Sequence, residues 1–151
     1  AQRQLQRTLL LGDTLLASSR IVAELTEIAR RIGVIYQLRD DVLGLFGDER
    51  RTGKSTLSDL REGKETLLVA YARSSAGWAE VAALFGDEQL DEIGGQRLRR
   101  VVEESGALTA VESVIAEHCD DVHRLIGDAR IPAALTEQLA ALTHACGSRD
   151  S

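Results

Sequence analysis

One stripe of isoleucine and leucine limits what this chain can become. Ile21, Leu25, Ile28, Ile32 and Ile35 recur at steps of three or four residues, and the pattern continues as far as Phe46. Such spacing lines one face of an α-helix, because a turn takes 3.6 residues. No stretch alternates apolar and polar residues with period two, and Pro132 is the single proline. A long amphipathic helix with no strand to cover it needs other helices, so the expected class is all-α. The pattern predicts a first helix from Gln2 to Ala17, with Ser18 and Ser19 capping a second that runs to Phe46. Asp59 and Glu62 are spaced as a capping box for a helix carrying Leu67, Leu68 and Tyr71. Further helices are expected from Trp78 to Phe85, from Asp87 to Glu104, from Leu108 to Ile126 and from Pro132 to Ala145. Gly94 and Gly95 should break or weaken the second of these.

The 151 residues suffice for one domain with a real core. A net charge of −6 speaks against a nucleic-acid or anionic-membrane surface, both of which call for basic patches. No apolar run reaches the length of a membrane span, and the N-terminus lacks a signal-peptide pattern. Cys119 and Cys146 fit neither a zinc spacing nor a disulfide framework, which makes a reducing cytoplasm the default. The chain has no methionine and opens on residues that read as mid-helix, as a piece of a longer protein would.

Two motifs bear on chemistry. The stretch GLFGDERRTGKST, residues 44 to 56, ends like a phosphate-binding P-loop. That loop needs four residues between its first glycine and the Gly-Lys pair; here five, Asp48 to Thr52, separate Gly47 from Gly53. Two of those five are acidic and would face the phosphate, so the P-loop reading fails. The second motif is polar on an apolar helix. Gln37, Asp41, Gly44 and Asp48 share one stripe, with Asp40 beside it. Adjacent carboxylates among so many apolar residues are costly unless they meet a cation, a cavity or solvent. Oxygen ligands on one helix face suit Mg²⁺, which keeps waters and shares its shell with phosphates. Lys54 and Lys64 follow closely and could bind those phosphates. The bland reading of the same residues is a solvated Asp-Asp pair and a basic loop.

The ordered set Tyr36-Gln37, Asp40-Asp41, Gly47-Asp48, Gly53-Lys54, Asp59-Leu60 and Gly63-Lys64 with Thr66 resembles the second aspartate-rich region of the trans-isoprenyl diphosphate synthases, the polyprenyl synthetase family. LLLGDTLLASS looks like that family's preceding helix, and VVEESGAL like its late E-S-G-A turn. The resemblance implies the helical bundle of the isoprenoid synthases, with residues 1–151 as the C-terminal half of one domain. It implies a Mg²⁺-dependent prenyltransferase that joins an allylic diphosphate to isopentenyl diphosphate, a homodimer when intact. By the same resemblance Asp40 and Asp41 would hold metal, Lys54 and Lys64 would grip the diphosphate, and Gln37 would lie near the allylic cation. Gly44 stands where the family's D-D-x-x-D motif has its third aspartate, as in some bacterial geranylgeranyl-type enzymes. The first aspartate-rich motif is missing, so the chain alone should be inactive. The alternatives are a non-catalytic regulatory subunit of a prenyl synthase and a terpene cyclase of related fold.

Two further patterns compete for attention. CDDVHRLIGD at 119–128 repeats RDDVLGLFGD at 39–48, and Cys119 with His123 has the i, i+4 spacing of a metal pair beside His118. No Tyr-Gln pair precedes the repeat and no Gly-Lys follows it, so a solvated helix face is expected there. Trp78 is expected in the core or at an interface.

Overall fold

The computed structural model describes residues 2–47 and 55–148, with side chains from residue 17 onward. Helix α1 spans Gln2–Phe46 without interruption. The expected break at Ser18–Ser19 does not occur, because neither serine removes a backbone N–H or clashes with the preceding turn as proline does. The isoleucine stripe becomes the buried edge of α1, where Ile28 and Ile35 are fully buried and Val42 and Leu45 nearly so. Against it lie α6, Ala107–Asp128, through Val111, Ile115, Val122 and Ile126, and α7, Ala133–Gly147, through Thr143 and Cys146. Each buried aliphatic side chain here contributes roughly 1.5–3 kcal/mol relative to exposure.

Between α1 and α6 run shorter elements: α2 (Ser58–Arg61), α3 (Leu67–Ala72), α4 (Trp78–Val81), a 3₁₀ turn (Ala82–Leu84) and α5 (Glu92–Glu104). The expected capping box is replaced by another device. Thr66 caps α3, its hydroxyl accepting from the Val69 N–H at 3.3 Å, while Asp59 lies inside α2 and turns elsewhere. Gly94 and Gly95 do not break α5. Asp91 caps it by accepting from the Gly94 N–H at 2.8 Å, and Gly95 lets Leu57 lie directly against the helix. The E-S-G-A turn is a sharp reversal in which Gly106 adopts φ +78° between α5 and α6. Trp78 belongs to the core, edge-on to Phe85 at 5.6 Å, with the Arg73 guanidinium 5.2 Å from its ring. Among the described residues there is no strand, and no helix is long and apolar enough to cross a membrane.

Candidate functional site

The acidic stripe occupies the last three turns of α1, and its orientation is fixed from behind. Arg39 reaches the opposite way from the stripe's lead residues and makes a two-pronged bond to Glu112 of α6, at 2.6 and 2.7 Å. The same guanidinium donates to the Gly147 carbonyl at the end of α7, at 2.7 Å. Three helices are thereby pinned at the residue that precedes Asp40. A fork of this kind holds geometry better than a single-point lysine contact would.

On the stripe itself, the Gln37 side-chain N–H donates to Asp41 Oδ1 at 2.9 Å. The Lys64 ammonium lies 3.0 Å from the same Asp41 oxygen and 3.1 Å from Asp59 Oδ2. Asp41 is 9 % exposed, the one charged group buried among the described residues. Asp40, one residue earlier, is partly exposed and has no partner among the described residues. The hydrogen bond to Asp41 holds the Lys64 ammonium above the usual lysine range, against the cost of partial burial and with help from Asp59. Beneath the cluster Leu45, Leu60 and Val69 close a void of about 10 Å³, room for about one water.

A tight turn brings Lys64 there. Gly63 takes φ +64°, and the Lys64 N–H donates back to the Asp59 carbonyl at 2.9 Å. A side chain on Gly63 would come within 3.3 Å of the Gly86 backbone, so the turn is pressed against the segment that follows the 3₁₀ turn. The Gly86 N–H completes the contact by donating to the Leu60 carbonyl at 2.9 Å.

Of the residues singled out from sequence, Gln37, Asp41 and Lys64 therefore converge, and Asp40 is the chain neighbour of Asp41 with no bond to the other two. Lys54, Gly53 and Asp48 lie outside the described residues. The local pattern makes Asp59 a cap and a motif letter, yet it is a full member of the cluster. Its five-residue separation from Lys64 was the available signal, but only the Gly63 turn makes that separation a contact. The repeat at 119–128 builds something else. Asp121 accepts from Arg31 of α1 and from Arg124, an inter-helix tie rather than the plain solvated face expected. Partial desolvation pushes Asp121 up, but the bonds from Arg124 and Arg31 outweigh it and hold the carboxyl below its usual range. Cys119 packs instead against Gly147, whose added Cβ would lie 2.9 Å from its sulfur.

The residues fit one side of a magnesium site. Among the described residues no three His, Cys, Asp or Glu groups converge as a complete metal cage. One unpartnered carboxylate beside one already bonded to a lysine suits Mg²⁺, which takes one or two protein oxygens and fills the rest with water and phosphate.

The chain is similar to several known proteins. A family model described as polyprenyl synthetase matches residues 7–102. The chain is 36 % identical over 121 residues to the geranylfarnesyl diphosphate synthase of Aeropyrum pernix, covering 80 % of this chain and 37 % of that one. It is 36 % identical over 107 residues to the (2E,6E)-farnesyl diphosphate synthase of Mycobacterium bovis, covering 70 % and 26 %. The crystal structure of geranylgeranyl pyrophosphate synthase from Corynebacterium glutamicum, complexed with isoprenyl diphosphate and magnesium, superposes with a TM-score of 0.77 at 30 % identity. That match covers 85 % of this chain and 38 % of the other. The chain thus spans less than two-fifths of the length of each of these relatives.

Proposed function

The chain belongs to the polyprenyl synthetase family, and from that premise we propose that it supplies the C-terminal wall of a prenyl-elongating active site. Its fold is the helical bundle of the isoprenoid synthases. The substrates on this reading are an allylic diphosphate and isopentenyl diphosphate. The observation that carries it is the unpartnered Asp40 carboxylate, one residue before Asp41, which together with Asp59 is already bonded to Lys64.

Asp40 would hold Mg²⁺ from this side. Bound there, the ion would supply positive charge to the departing diphosphate as its C–O bond ionises. Arg39 and its two partners keep the Asp40 turn from rotating. Leu45, Leu60 and Val69 leave space for no more than about one water beneath the cluster. Lys54, two residues before the described Thr56, would meet the diphosphate as a point charge without a P-loop. One wall cannot position both substrates, so the 151-residue chain by itself should not turn over.

The test uses the chain as it is. Mn²⁺ binding, read by electron paramagnetic resonance with and without inorganic diphosphate, should be weak alone and tighter with diphosphate. Asp40→Asn should remove it, and an elongation assay on the same sample should give no product. Mn²⁺ binding indifferent to Asp40→Asn defeats the proposal, and clear turnover by the chain alone defeats the half-site argument.

A further inference from the structure

Lys64 has two candidate employments, and the structure assigns one of them. The family resemblance makes it a ligand of the diphosphate. The distances describe something different. An ammonium has three N–H donors; one is spent on Asp41 Oδ1 at 3.0 Å and another on Asp59 Oδ2 at 3.1 Å. To grip a phosphate, Lys64 would have to abandon one of these carboxylates or offer only its remaining donor. Leaving both would uncover two negative charges beside the phosphate, Asp41 among them with 9 % exposure. Buried carboxylates that lose their cation are strongly disfavoured.

We propose that Lys64 is a positioning residue: it latches Asp41 of α1 to Asp59 of α2, so that Asp40 is the carboxylate left to face a divalent cation.

Three independent features hold the latch. The Gly63 turn and its contact with Gly86 fix the lysine backbone from below. Gln37 braces Asp41 from one turn earlier on α1. Gly44 leaves room for the Asp59 carboxylate against the helix, since a Cβ at that position would lie 2.7 Å from Asp59 Oδ2. The latch therefore uses the very position where the D-D-x-x-D pattern has its third aspartate. Two carboxylates, Asp41 and Asp59, share one ammonium, and Asp40, next to Asp41 in the chain, has no bond to it. Selection between two neighbouring aspartates follows from which one the lysine occupies.

This role rests on the synthase reading for the identity of the cation, and the experiment separates the two. Urea unfolding of the 151-residue chain is measured for Lys64→Met, Asp41→Asn and the double variant, and for Lys64→Met with Asp59→Asn. A latch predicts coupling of about threefold or more in the unfolding constant in each cycle, as contacting charged pairs show. Mn²⁺ alone and inorganic diphosphate are then titrated into wild type, Lys64→Met and Lys64→Arg. Freeing Asp41 beside Asp40 should tighten Mn²⁺ in Lys64→Met by about threefold or more, with Lys64→Arg close to wild type. Additive cycles overturn the latch. So does a Lys64→Met variant that keeps wild-type Mn²⁺ affinity and loses only diphosphate, for then Lys64 is a phosphate ligand. Coupled cycles with no Mn²⁺ binding in any variant count against the synthase reading while the bond between α1 and α2 stands.

Discussion

Gly44 and Asp59 occupy one another's space: a Cβ built on Gly44 would lie 2.7 Å from Asp59 Oδ2 and 3.4 Å from its Cγ. The glycine in the acidic motif is therefore matched by an aspartate fifteen residues later in the chain, delivered to the same patch of α1 from α2. Gly44→Ala sets two effects against each other. Alanine should gain ~1 kcal/mol of helix propensity, while the Asp59 carboxylate must swing away from Lys64. Because that carboxylate is the flexible end of a side chain, net stability should change by less than ~1 kcal/mol. Gly44→Asp adds a like charge against Asp59 and should lose ~1–2 kcal/mol at neutral pH, with part of the loss recovered in Mg²⁺. Urea unfolding with and without Mg²⁺ checks both.

Gly95 is expected to behave oppositely. A Cβ there would drive into Leu57, a core side chain with 6 % exposure that has little room to move. Next to it Thr56 is hydrogen-bonded to Arg99 of α5, so displacement of Leu57 disturbs the anchor of the segment behind Lys54. Gly95→Ala should destabilise by ~1–3 kcal/mol despite the better helix propensity, as overpacking does. Chemical denaturation gives the answer directly, and a stabilised variant would contradict the contact.

The repeated Asp-Asp pair at 120–121 should prove unequal. Asp121 joins α6 to α1 through Arg31, with side-chain exposures of 31 % and 24 %. Asp121→Asn should lower stability modestly, as loss of an exposed ion pair does. Asp120→Asn should stay within ~0.5 kcal/mol. Neither change should alter Mn²⁺ binding, and a loss of binding in either would restore a metal site to this helix.

Acid should act on the exposed part of α1. The hydrogen bond from Arg30, followed by that from Arg31, lowers Glu27 from 4.5 to about 2, with desolvation opposing. A carboxyl depressed in the folded state contributes stability that is present above its unfolded value and lost as pH falls through its folded one. The contribution of Glu27 should therefore disappear between about pH 4.5 and pH 2. Stability of Glu27→Gln measured across that window should fall less steeply than that of wild type; parallel curves would show that the Arg30–Glu27–Arg31 contacts do not couple to folding.

The helical class, the burial of the isoleucine stripe and the sharing of one face by Gln37, Asp40 and Asp41 were legible from the sequence, because residue spacing within a helix fixes all of them. The ordered Gly-Lys and Asp-Leu pairs identified the family for the same reason: they are linear. The continuity of α1 through Ser18 and Ser19 was not legible, since serine favours a cap but costs only a few tenths of a kcal/mol inside a helix that its neighbours carry through. Nor was the fate of Asp59, which the local pattern made a cap and the fold made a partner of Lys64. Which of two adjacent aspartates stays open depends on where a lysine more than twenty residues later returns to the helix. That return is set by the Gly63 turn pressing on Gly86 and by the space that Gly44 leaves. Spacing dictates which side chains share a face, but charge pairing depends on distances between segments that meet only when the chain is packed.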